Sequence, residues 1–308
     1  MRSGAAVARD LLGVVMSGSS GGAIVLQNVT LAYDGHPAVH RLTGEFSRGS
    51  LTAIVGPNGA GKSTLIKGMA GLLRPADGLI QPAGLGGGGI AYLPQHAEIE
   101  RRFPISVIQS VLLGHWPRIG WARPVTRELR GGAQRALAAV GLAGFERRPV
   151  ETLSAGQFQR VLFARVIVQD AGLILLDEPL AAVDWPTSED LLRLIVSWQR
   201  EGRTVAAVLH DLDQVRAYFP ETLLLARERV AWGPTREALM PQNLRRARHI
   251  SETWSGQGEN NRAAPGPRRA GLPRYPDPLP APSLTLPPLA GREGWGEAAS
   301  GKDPRNGR

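Results

Sequence analysis

The sequence contains no cysteine. That absence excludes a disulfide framework, a thiolate zinc site and a cysteine nucleophile, and it permits a reducing compartment. Lysine is almost as scarce, occurring only at Lys62, Lys67 and Lys302, so the formal net charge of +9 at pH 7 rests on arginine. The arginines are scattered rather than gathered into one basic stripe, and part of the excess (Arg245, Arg246 and Arg248, then Arg262, Arg268, Arg269 and Arg274) lies near or beyond the end of the patterned sequence. A nucleic-acid surface needs a concentrated footprint, so compositional bias with a basic tail accounts for the charge, and no nucleic-acid partner is expected. Also missing is any apolar run of the roughly 18 to 20 residues that a membrane-spanning helix requires. The short run Leu11 to Met16 behind Arg2 and Arg9 faintly resembles an export signal. An unstructured leader, or a true start at Met16, is the plainer reading.

A chain of 308 residues suits one domain of about 230 residues with irregular ends. After the Ser-Gly-rich stretch Ser17 to Gly22, the segment Ile24 to Tyr33 alternates apolar and polar residues as a half-buried strand does. Leu51 to Val55 is a compact apolar strand running into a glycine-rich turn, Gly56 to Gly61, and then a helix through about Leu72. Leu173 to Leu176 and Thr204 to Leu209 are further apolar strands separated by a helical pattern, Ser188 to Arg200, which predicts a mainly parallel sheet flanked by helices in an α/β fold. Between about Ala97 and Val150 the sequence turns helical and more polar, as a separate insert would. Leu223 to Val230 returns to strand character, and a turn at Gly233 to Glu237 precedes a last helical region. Past about Ser255 the character changes, with ten prolines between Pro265 and Pro304. Such a tail buries too little apolar surface to offset its chain entropy and is expected to be disordered; Pro280 to Gly291 has the composition of a proline-rich recognition segment.

The turn Gly56-Pro57-Asn58-Gly59-Ala60-Gly61-Lys62-Ser63 fits the P-loop pattern G-x-x-x-x-G-K-[ST]. Glycines let consecutive backbone N–H groups converge on an anion, and the helix starting near Lys62 adds the positive end of its dipole. Lys62 can then reach β- and γ-phosphates, and the Ser63 hydroxyl can ligate Mg²⁺. A second element, Leu173-Ile174-Leu175-Leu176-Asp177-Glu178, ends an apolar strand in two acids. Buried without partners these would be costly, so their position calls for a cation or a water to handle. Asp177 suits the outer sphere of Mg²⁺, and Glu178 suits the base that orients and deprotonates an attacking water. Together the two elements predict a P-loop nucleotide hydrolase that uses Mg²⁺, which is a very broad class.

Leu153-Ser154-Ala155-Gly156-Gln157 closely resembles the LSGGQ signature of ATP-binding cassette proteins, and it lies about 20 residues before the Asp-Glu strand, as in that family. The family's other marks fall in order: the aromatic Tyr33 ahead of the P-loop, Gln95 in Tyr92-Leu93-Pro94-Gln95, Asp184 in Ala181-Ala182-Val183-Asp184, and His210 after Val208-Leu209. The resemblance implies an antiparallel β subdomain and a helical signature subdomain (about 97–165) around the P-loop core, with the cassette at 23–254, a leader at 1–22 and the tail at 255–308. It implies that Tyr33 stacks on adenine and that Gly56, Pro57, Asn58, Gly59, Ala60, Gly61, Lys62, Ser63 and Thr64 hold the phosphates. Gln95 contacts Mg²⁺ and links the site to a transporter. Ser154 and Gly156 cap the γ-phosphate held by a partner copy, Ala155 and Gln157 bind that nucleotide with them, His210 holds γ-phosphate and water in register, and Asp184 ties the two sites together. Catalysis then falls to Glu178, His210 and Lys62, in a head-to-tail homodimer with ATP as the glue. One departure is Ala155 in place of the family's second signature glycine, which would weaken capping if that position needs positive φ.

Cassette proteins that organise chromosomes carry long coiled coils, excision-repair relatives carry cysteine zinc modules, and translation-factor relatives carry two cassettes. None of these features is in the sequence. The resemblance therefore implies a transporter ATPase on the cytoplasmic face of an inner membrane, working with membrane permease subunits and, indirectly, a periplasmic binding protein. Phe103-Pro104-Ile105-Ser106-Val107 after Gln95, and His210-Asp211-Leu212-Asp213-Gln214-Val215, look like the zinc and manganese importer branch. The alternatives are an importer of an iron complex or a vitamin, and a soluble cassette ATPase that moves no cargo. The stretch Phe103 to Leu113 is the expected contact with the permease.

Overall fold

The computed structural model describes residues 22–83, 89–95, 104–120, 124–181 and 183–261. The expectations for the leader and Met16, for Phe103, and for the tail past Asn261 fall outside the described residues.

Two long antiparallel strands open the chain, β1 (Gly22–Tyr33) and β2 (His36–Ser47). They are joined by Asp34-Gly35, both at positive φ (49° and 79°), as a two-residue hairpin turn requires. Next come β3 (Leu51–Val55), α1 (Lys62–Met69), β4 (Asp77–Pro82) and β5 (Ile90–Leu93). A helical stretch follows: α2 (Val107–Leu112), α3 (Trp116–Ile119), α4 (Arg127–Ala139) and α5 (Ala155–Gln169). The chain then alternates through β6 (Leu173–Asp177), α6 (Trp185–Arg200), β7 (Thr204–Val208), α7 (Leu212–Tyr218) and β8 (Glu221–Ala226). It closes with β9 (Glu228–Pro234), α8 (Thr235–Ala238) and α9 (Pro241–Asn261).

The strands form two sheets: a three-stranded antiparallel one in the order β2-β1-β4, and a six-stranded one in the order β5-β6-β7-β3-β8-β9. In the larger sheet β5, β6, β7, β3 and β8 run parallel, and only β9 is antiparallel. This is the α/β architecture expected from the sequence, with its antiparallel and helical additions. Every residue of β3, β6 and β7 is buried, because a parallel sheet is covered on both faces and its strands need apolar side chains on each. The strand period of two splits these runs between two cores. Ile174, Leu176, Val205 and Ala207 join a cluster with α2, α4, α5 and α6. Leu173, Leu175, Ala206 and Val208 join a second one with α1, β1 and β2.

Details differ from the sequence reading. Helix α1 stops at Met69 instead of near Leu72, because Gly71 takes φ 75° and ends it. The turn expected at Gly233-Pro234 is strand: Pro234 pairs with Glu221 at the end of the edge strand β9, where its missing N–H does no harm. Helix α9 runs past residue 254, where the sequence places the end of the cassette. In the stretch expected to face a permease, Val107, Ile108, Val111 and Leu112 are buried in the core, and Trp116 just after it is exposed.

Candidate nucleotide-binding site

Parallel pairing puts the carboxyl ends of β5, β6, β7 and β3 on one edge of the sheet. The register is close: Ile54 and Asp177 both lie opposite Val208, and Leu93 lies opposite Leu176. Whatever follows each strand therefore emerges side by side, in the crevice where open α/β sheets bind ligands. Four loops from distant sequence meet there: Gly56 to Gly61, Pro94-Gln95, Glu178 and Leu209-His210. A cleft of about 680 Å³ is lined by Tyr33, Ala38, Asn58 to Thr64, Gln95, Glu178 and His210.

Two of the P-loop glycines are needed for lack of room. A β-carbon on Gly56 (φ 155°) would sit 1.9 Å from the Leu225 carbonyl oxygen, and one on Gly61 (φ 89°) would sit 2.2 Å from that of Ala38. Gly61 is also the N-cap of α1, and it offers no side chain to the first-turn N–H groups. Those donors and the helix dipole, equivalent to roughly half a positive charge, face the cleft for an anion. Lys62 is only 6% exposed and donates from Nζ to the carbonyls of Gly56 (3.0 Å) and Pro57 (2.9 Å). Burial lowers the pKa of this ammonium, while the carboxylates of Glu178 and Asp177 act the other way.

Ser63 donates from Oγ to Oδ1 of the fully buried Asp177 at 2.9 Å. The Ser63 hydroxyl, the Asp177 carboxylate and the Gln95 amide form a hard-oxygen donor set of the kind Mg²⁺ takes, and nucleotide phosphates would complete it. Beside them Glu178 is held at both oxygens: Gln95 Nε2 donates to Oε2 at 2.9 Å, and His210 Nε2 donates to Oε1 at 2.7 Å. Glu178 has φ 50°, a left-handed conformation that costs a non-glycine residue about 1–3 kcal/mol and aims its carboxyl back over the strand end. Tyr33, 48% exposed at the end of β1, lines the same cleft. Two expected phosphate-loop members, Gly56 and Pro57, line a smaller cavity behind the P-loop, with Leu244 and Arg248 of α9.

Ser154, Ala155, Gly156, Gln157 and Asp184 are not among the residues lining the nucleotide cleft. They lie next to one another: a β-carbon on Gly156 would come 3.7 Å from Asp184 Oδ1. Ser154 caps α5, accepting from Gln157 N at 3.2 Å, while the Gln157 side chain accepts from Ser154 N at 3.1 Å. This reciprocal pair is worth about 0.5–2 kcal/mol to the helix start. Ala155 is its first helical residue and is absent from the positive-φ positions, so its methyl group meets no strain. Asp184 caps α6 by accepting from Thr187 N at 3.4 Å, and hydrogen bonding to Thr187 holds its carboxyl below the usual range. Sequence reasoning passed over Ala38, whose carbonyl closes over Gly61. No signal of residue type marks a backbone contact of that kind.

Residues 39–181 match the ABC transporter family. The manganese transport system ATP-binding protein of Listeria monocytogenes is 38% identical over 223 residues, 71% of this chain and 93% of that protein. The zinc transport system ATP-binding protein of Treponema pallidum is 37% identical over 230 residues, 73% of this chain and 86% of the relative. Among solved structures, a chain from an ABC transporter in an inward-facing conformation superimposes with a TM-score of 0.67 and 31% identity, over 74% of this chain and 90% of the other.

Proposed function

This chain belongs to the ABC transporter family of ATP-binding cassettes, and on that premise we propose that it energises import of a divalent metal ion, manganese or zinc. It is an ATPase of a transport system. The reading of its site is carried by one observation: Lys62, Ser63, Gln95, Glu178 and His210, from four strand ends, line one cleft, with the buried Asp177 bonded behind Ser63. The metal cargo is suggested by the manganese and zinc systems of the relatives, together with the Phe103 to Val107 and His210 to Val215 runs.

In this mechanism Tyr33 stacks on adenine, and the loop from Gly56 to Thr64 wraps the phosphates with its N–H groups. Lys62 exchanges its two loop carbonyls for β- and γ-phosphate oxygens, so the nucleotide replaces contacts the loop otherwise makes with itself. Ser63, backed by Asp177, and Gln95 are the residues that would hold Mg²⁺, which would supply positive charge to offset that of the nucleotide's phosphates. Glu178 accepts a proton from the water that attacks the γ-phosphorus. The bond from that phosphorus to the bridging oxygen breaks, and ADP carries away the electron pair. His210 keeps water and γ-phosphate aligned.

Cassettes of this kind dimerise and pair with permeases. The signature residues Ser154, Ala155, Gly156 and Gln157 lie away from their own cleft, so we place them on the γ-phosphate of a second copy in a head-to-tail homodimer, with Asp184 at the seam between the two sites. We take residues 23–254 as the cassette and the helical part (about 97–165) as the face that receives a permease helix near Trp116. Among the described residues no helix is long and apolar enough to cross a membrane. The proposed position is peripheral, on the cytoplasmic face of an inner membrane, with a periplasmic binding protein supplying ion to the permease.

The test is elemental analysis of metal-limited cells lacking this protein and complemented with wild type or Glu178→Gln. A manganese or zinc deficit corrected by wild type alone is the expected result. Unchanged metal content, in cells with no second importer, would retire the metal cargo and leave the ATPase.

A further inference from the structure

Two adjacent side chains of α5 reach the segment that leaves β6. Gln159 is only 2% exposed, and its Nε2 donates at 2.6 Å to the carbonyl of Pro179, the residue after Glu178. Arg160 donates from Nη2 to Thr187 Oγ1 at 2.7 Å and from Nη1 to the Val140 carbonyl at 3.3 Å. Thr187 N in turn donates to Asp184 Oδ2. One stretch of helix therefore holds both ends of the Glu178 to Asp184 segment: the strained turn that carries the carboxylate, and the cap of α6. The same helix begins at the signature turn, where Ser154 and Gln157 bond each other.

Packing alone does not call for an amide at position 159. Its Oε1 is buried and has no hydrogen-bond partner among the described residues. A half-satisfied buried amide is costly, and an apolar side chain of similar volume would fill the space without that cost. What the amide supplies is one hydrogen bond, to the carbonyl next to the left-handed Glu178.

We propose that Gln159 is a positioning residue for Glu178, acting through the Pro179 carbonyl, with Arg160 fixing Asp184 through Thr187. Helix α5 then transmits the seating of a partner's nucleotide on its signature turn to the carboxylate of its own cleft. This rests on the ATPase dimer described above.

The experiment uses the full chain and compares wild type, Gln159→Leu, Glu178→Gln and the double variant for MgATP hydrolysis, ATP affinity and melting temperature. Gln159→Leu should lower kcat about tenfold or more, since small misplacements of a reacting group are expensive, while ATP affinity and melting temperature stay near wild type. In the Glu178→Gln background the Leu substitution should cost nothing further, because its effect runs through the missing carboxylate. Arg160→Lys, which keeps a donor, should lose less than Arg160→Leu. An unchanged kcat in Gln159→Leu, a joint fall in melting temperature and affinity, or a further loss in the double variant would overturn the inference. A wild-type chain that does not hydrolyse ATP would instead overturn the reading beneath it.

Discussion

The Glu178 carboxylate has two donors and one task. Gln95 and His210 each hold one of its oxygens, which fixes the group's direction, and its left-handed backbone fixes where that direction points. An amide at this position offers one acceptor oxygen to two N–H donors, so Glu178→Gln leaves either Gln95 or His210 facing an NH₂ group. It also cannot take a proton from water. Hydrolysis should fall by about two to four orders of magnitude, the usual worth of a general base, with ATP binding retained. Phosphate release and size-exclusion chromatography with ATP would measure both effects; the expected product is an accumulated ATP-bound dimer, and turnover near wild type would remove Glu178 from the base role. Lys62→Ala should separate from this variant by losing tight nucleotide binding itself, read by equilibrium titration with a fluorescent ATP analogue. Lys62 and His210 are the basic side chains among the residues lining the cleft.

At the scale of elements, the P-loop is a tight backbone passage as much as an anion nest. Gly61→Ala would put a methyl group 2.2 Å from the Ala38 carbonyl at φ 89°, a position strained for any side chain. Expected are a melting temperature lower by several degrees, since backbone strain of this kind costs about 1–3 kcal/mol, and greatly weakened nucleotide binding. Normal stability and affinity would mean that β2 yields more easily than its packing suggests. This contact also shows where the sequence ran out. The strands β3, β6 and β7 were legible because each is a continuous apolar run bounded by turn residues, and the loop at Gly56 to Ser63 was legible because its chemistry is written in consecutive residues. Glu178 could be singled out by its place at the end of such a run, and Tyr33, Gln95 and His210 through the resemblance to ATP-binding cassettes. The order of strands was not legible: β7 lies between β6 and β3 through pairings made far apart in the chain. Contacts such as Ala38 over Gly61, or Gln159 on Pro179, exist only once that order is set. Likewise, Phe103 to Leu113 is the permease contact expected from the sequence, yet within it Val107, Ile108, Val111 and Leu112 close the core against α5.

For the whole molecule, the decisive feature is that the signature turn and the nucleotide cleft of one chain do not meet. If each γ-phosphate lies between the cleft of one copy and the signature of the other, defects in the two parts should complement in a mixed dimer and not within one chain. Gly156→Asp suits the signature defect, because a β-carbon there has space and only Asp184 nearby, so the chain should fold while an added carboxylate repels both Asp184 and a phosphate. Glu178→Gln supplies the other defect. Each variant alone should hydrolyse ATP slowly. In a mixed dimer one site carries both faults and the other carries neither, because each chain lends its sound half to the same site. An equimolar mixture should then recover up to about a quarter of wild-type activity, since half the dimers are mixed and each has one working site of two. Phosphate release measured against mixing ratio would show a maximum near equal amounts. A flat, additive response would mean that each chain completes its own site.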